Sequence, residues 1–98
     1  MAGQVYESGS YKNTTASVAI NANPGVMIGF YVNSTSSGVI NFKDGGASGT
    51  AMSGSITPAI GFHRFPAVCS SGLYMTVVSG SIDVTVFYQP NPTPTTNN

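Results

Sequence analysis

Catalysis needs side chains that move protons, attack carbonyls or hold ions, and this sequence offers few. It has one histidine, His63, followed by Arg64, and one cysteine, Cys69; its acids are Glu7, Asp44 and Asp83. A Ser-His-Asp arrangement needs an acid to orient the imidazole. Nothing in the spacing places Asp44 or Asp83 beside His63, which reads as a satisfied or exposed strand residue. One His, one Cys and scattered acids do not make a zinc set. No motif pairs Glu7, Asp44 or Asp83 as the carboxylates of a glycosidase. Asp44-Gly45-Gly46 is not followed by Lys-Ser/Thr and a helix, so it reads as a hairpin turn rather than a phosphate loop. The expectation is a chain with no catalytic residue, no metal and no cofactor, hence not an enzyme.

Weaker signals remain. Cys69 has no intrachain disulfide partner and reads as a small buried hydrophobe at the end of an apolar run. Asn13-Thr14-Thr15 and Asn33-Ser34-Thr35 match the glycosylation acceptor pattern, as a Ser/Thr-rich chain does by chance. Tyr6, Tyr11, Tyr31, Tyr74 and Tyr88 are candidates for a sugar-stacking platform. The plainer reading is that most of them pack, with the hydroxyl at a wet edge.

The chain has 98 residues, enough for one domain with a modest core. Only 6% of residues are charged and the net charge is zero, against about 25% charged in an ordinary soluble domain. Apolar content of 41% is enough to fold. The polarity comes from Ser, Thr, Asn and Gly. Such a surface gains little from charge repulsion and suits a protein covered by partners, or one at an extracellular or virion surface. Three cations cannot neutralise many phosphates, so nucleic acid is not expected. No apolar run approaches the ~20 residues of a membrane span. Met1-Ala2-Gly3-Gln4 does not begin a basic-then-apolar leader, so use without a secretion step is expected.

Turn residues punctuate the chain at short intervals: Asn23-Pro24-Gly25, 33–38, 44–49, Ser53-Gly54, Thr57-Pro58, 70–72 and Ser79-Gly80. Between them lie short β-branched and aromatic runs at about 17–21, 26–33, 38–43, 50–56, 61–68, 72–78 and 81–88. The expected fold class is all-β: a small antiparallel β-sandwich or jelly-roll-like barrel of about seven short strands. Residues 1–16 are expected to be irregular, apart from a possible short strand at 4–7. Residues 17–88 form the β domain, and 89–98 a Pro-rich extended tail. Alternation gives a core of Val18, Ile20, Val26, Ile28, Phe30, Val32, Ile40, Phe42, Phe65, Leu73, Met75, Val77, Ile82, Val84 and Val86. It leaves Met27, Tyr31, Tyr74, Val78 and Phe87 on faces that should meet water. These five are the candidate subunit interface of a homo-oligomer, since Tyr, Phe and Met are enriched at interface cores. Coverage by the chain's own N-terminal segment is the alternative.

The stretch Gly25 to Gly38 (GVMIGFYVNSTSSG) is distinctive, as is Ser53 to Pro66 (SGSITPAIGFHRFP). They are followed by Gly72-Leu73-Tyr74-Met75-Thr76 and Asp83-Val84-Thr85-Val86-Phe87-Tyr88. Over 17–88 this order resembles small tailed-bacteriophage virion proteins of the head decoration, or capsid cement, type. Phe62 stands where that pattern has Trp or Phe. The resemblance implies a compact β-sandwich or jelly roll, often trimeric, on the capsid exterior. There it would bind the major capsid protein and stabilise the shell by bridging capsomers. The alternative is a phage fibre, tail or host-glycan-binding β module.

Overall fold

A computed structural model describes residues 10–90. They form β1 (Ser10–Thr14), β2 (Val18–Asn21), β3 (Gly25–Asp44), β4 (Thr50–Ala51), β5 (Gly61–Cys69) and β6 (Leu73–Pro90). All pairings are antiparallel. The organising feature is a two-stranded ribbon. β3 and β6 are 20 and 18 residues long and pair from Gly25↔Pro90 to Asp44↔Leu73. The ribbon is folded over. Along a straight strand Phe30 and Phe42 would stand about 40 Å apart, but their ring centroids are 5.2 Å apart.

Folding the ribbon makes two layers. In the first, the order is β1, the C-terminal half of β6, the N-terminal half of β3, then β5. In the second it is β2, the N-terminal half of β6, the C-terminal half of β3, then β4. Each pass of the chain climbs one layer and descends the other. That is jelly-roll wiring, and it agrees with the all-β sandwich or jelly roll expected from sequence.

The fold line explains why six strands replace the seven short runs. Residues 33–38 and 79–80 carry turn chemistry, yet the ladder runs through them because both strands bend together. Asn33 has no partner between Val32↔Val84 and Ser34↔Asp83, and Ser36 and Ser37 share Ser81. Extra residues of this kind bend a strand and increase its twist. Ser37 and Gly80 adopt left-handed backbone, with φ of 54° and 72°. A side chain at Gly80 would strike the Ser37 carbonyl, and a Cβ at Gly38 would lie 2.6 Å from the Cβ of Ile82.

The core between the layers is Ile20, Met27, Phe30, Val32, Ile40, Phe42, Cys69, Leu73, Met75, Ile82, Val84 and Val86. Val18, Phe65 and Val77 are half-buried against it. One stretch departs from simple alternation. Met27 pairs with Tyr88 and Gly29 with Phe87, so Ile28 is an extra residue in the ladder. The bulge shifts the inside parity from odd to even. Met27 is therefore fully buried, Ile28 is 38% exposed, and Val26 is only half-buried. This corrects the assignment of Met27 to an interface and of Val26 and Ile28 to the core.

The N-terminal boundary also moves. Residues 10–14 are not irregular: β1 pairs with 84–88 of β6 as an edge strand of the first layer. At the other end β6 continues to Pro90, two residues into the expected tail. The possible strand at 4–7 and the tail residues 91–98 lie outside the described residues.

Candidate binding surface

The residues with chemical potential are held apart and occupied. His63 sits on β5 opposite Phe30 and stacks on its ring at 5.0 Å. Its Nε2–H donates to the Ala59 carbonyl at 2.7 Å. Asp44, at the end of β3, instead caps the turn between β5 and β6. Its carboxylate accepts the N–H groups of Ser70 and Ser71, at 2.9 and 2.8 Å, and the Ser70 hydroxyl at 3.0 Å. The backbone N–H bonds of Ser70 and Ser71 hold the Asp44 carboxyl below its ordinary value, against a smaller opposing effect of desolvation. Cys69 is buried with its Sγ 4.0 Å from Met52 Sδ. Burial, then the nearby Asp44 charge, pushes its thiol up, which is the opposite of an activated nucleophile. Among the described residues, no group of three or more His, Cys, Asp or Glu converges on a point that could hold a metal ion.

The remaining four candidate interface residues fall on two opposite outer faces rather than one. Tyr74 and Val78 face outward from the second layer. Val78 is the extra residue between Val39↔Ser79 and Ile40↔Val77, and this bulge leaves it 50% exposed. The charge beside Tyr74, Lys43, donates to the Ala47 carbonyl at 2.9 Å. On the same face Asn41 and Thr76 oppose one another, and both Asn41 Oδ1 and Thr76 Oγ1 are buried with no hydrogen-bond partner among the described residues.

Tyr31 and Phe87 lie on the outer face of the first layer. The register places Tyr11, Phe87, Gly29 and Arg64 in one row across the four strands, and Asn13, Thr85, Tyr31 and Phe62 in the next outward-facing row. Phe62 reaches over Gly29, where a Cβ would lie 2.9 Å from its Cζ, and meets Phe87 with centroids 6.2 Å apart. Phe62 and Tyr31 are 52% and 42% exposed. Beside them is a polar set. The Asn13 amide N–H groups donate to Asp83 Oδ1 at 2.7 Å, Thr85 Oγ1 at 3.1 Å and the Val84 carbonyl at 3.2 Å. Asn33 Nδ2 donates to Thr85 Oγ1 at 3.1 Å and, more weakly, to Asp83 Oδ1 at 3.5 Å.

Part of this face was legible in the sequence, because Asp83, Thr85 and Phe87 alternate on one side of a strand. Asn13 and Asn33 were not. Asn13 lies in the segment read as irregular, and Asn33 in the stretch read as a turn. Comparison with protein-family models, with curated proteins and with solved structures gives no match for this chain. No helix among the described residues is long and apolar enough to cross a membrane.

Proposed function

We propose that this chain is a non-enzymatic structural protein of a phage virion. In this reading it binds the capsid exterior as a homo-oligomer, a trimer by the resemblance, and stabilises the shell by bridging capsomers. The observation that carries the reading is the outer face of the second layer. There an exposed Val78 and a half-buried Tyr74 sit on a sheet face where Lys43, the charge opposite Tyr74, is turned back onto its own loop, and the neighbouring Asp44 is taken up by the Ser70 and Ser71 N–H groups. Aromatic and aliphatic groups with little charge are the chemistry of an interface core. The sequence resemblance over 17–88 supports the same reading. Binding only the assembled lattice would stabilise that lattice by mass action, and several sites per oligomer would add avidity.

The test uses capsids assembled without this chain. Adding the purified protein should load it onto the particles in a saturable way and raise the temperature at which they release their contents. Val78→Asp should abolish loading while leaving the chain folded. Light scattering should give an oligomer for the wild type. Failure of the wild-type chain to pellet with capsids would sink the proposal.

A further inference from the structure

We propose a second binding site, independent of the capsid-binding reading: the outer face of the first layer takes a neutral saccharide. A sugar ring is amphipathic, with C–H groups on its faces and hydroxyls around its rim. The face built around Tyr31 has the matching two halves. Tyr31 and Phe62 are neighbours across β3 and β5, and both present exposed rings to solvent. Thr85 stands directly opposite Tyr31 on β6, and Asn13 and Asn33 both donate to its oxygen. With that oxygen occupied as an acceptor, the Thr85 hydroxyl proton is available to a ligand. Asp83 Oδ2 and the amide oxygens of Asn13 and Asn33 take part in no hydrogen bond among the described residues. The site therefore offers three acceptors and one hydroxyl donor beside a ring. That pattern calls for a ligand rich in O–H donors.

Charge selects within that class. Asp83 is the ionised group of the polar set, so an acidic sugar held against that set would meet repulsion, and the exposed Arg64 of the same face stands two strands and two outward rows away from it. A bare divalent cation is less well served, because Asp83 is the one carboxylate of the set, and among the described residues no group of three or more His, Cys, Asp or Glu gathers to hold a metal. Rigidity favours binding as well. The groups sit on paired strands with their rotamers fixed by mutual hydrogen bonds, so little side-chain freedom is lost when the ligand arrives. The site lies on the opposite side of the molecule from Val78 and Tyr74, so both faces can be occupied together.

The experiment is a printed array of neutral and acidic glycans probed with the full chain, followed by titration of the brightest neutral glycan. Neutral glycans should bind in preference to those bearing sialic or uronic acids. Tyr31→Ala should weaken the titrated affinity by about tenfold, equivalent to about 1.4 kcal/mol, whereas Tyr31→Phe should keep it. Both variants change an exposed ring, and a thermal melt checks their folding. Val78→Asp should leave glycan binding unchanged, so a failure of capsid loading and a failure of this site are told apart. The proposal is overturned by an array with no neutral glycan above background, by brighter signals from acidic glycans, or by Tyr31→Ala binding as tightly as the wild type.

Discussion

Thr85 and Thr76 occupy comparable positions on the outward faces of the two layers. Both lie on β6, each opposite a residue of β3, yet Thr85 accepts two amide hydrogen bonds while the Thr76 hydroxyl finds no partner among the described residues. The central ribbon is common to both layers, so it is not the cause. The difference lies in the flanking strand and the fold line. Beside the first layer β1 supplies Asn13, and the bulge at the fold line turns Asn33 onto the same spot. Beside the second layer β2 brings only Ala19 opposite Tyr74, and Ser17 spends its hydroxyl on the backbone N–H of Val77. A polar residue on a sheet face is thus satisfied or stranded by what the edge strand carries.

Several substitutions sharpen that contrast. The largest effect belongs to the element both layers share. Phe42 is fully buried and touches Phe30 of the other layer and Phe65 of β5. Phe42→Ala should cost about 3–5 kcal/mol in urea unfolding, and both outer faces should be lost in one transition. Separate transitions for the two layers would contradict a common core.

Next come the paired threonines. Thr85→Val removes one acceptor from the amides of Asn13 and Asn33, which keep Asp83 Oδ1, and should cost about 0.5–1 kcal/mol. Thr76→Val replaces an already unpartnered hydroxyl and should leave stability unchanged or raise it by up to about 1 kcal/mol. Equal losses for the two variants would show that Thr76 is bonded after all.

A third test moves from the faces to the end of the sandwich, where Asp44 ties β3 to the β5–β6 turn. Its carboxyl is held below the ordinary value of 3.8, chiefly by the N–H groups of Ser70 and Ser71. The unfolded chain therefore takes up this proton first as the solution is acidified. The stabilisation is present in full above pH 3.8 and fades as pH falls through the folded-state value. Asp44→Asn should flatten the acid limb of the stability curve, measured by denaturant midpoint against pH. An unaltered limb would show that the cap contributes no pH dependence.

The smallest effect concerns Cys69, buried where β5 meets the core. Its alkylation in the native protein should be slow and should accelerate only as the chain unfolds. Labelling at the rate of a free thiol would mean that this end of the sandwich opens locally.

How much was readable in advance can be judged at particular residues. Ile40, Phe42, Leu73, Met75, Ile82, Val84 and Val86 lie inside as alternation requires, because no bulge interrupts those short runs. Met27 and Ile28 exchanged roles because one unpaired residue reverses every side chain before it. Ser34 to Ser37 carry the composition of a loop, yet their backbone groups are paired with an equally bent partner strand.

The residues alone therefore determined an all-β chain of short alternating runs, with lone His and Cys residues and few charges. Those features follow from local propensity and side-chain period, which act within a few neighbours. Tertiary structure decided where the ribbon folds, which parity survives each bulge, and that Asn13, Asn33, Asp83 and Thr85 meet. These depend on strands that are distant in sequence and pair across the fold, so no window of the chain contains the information.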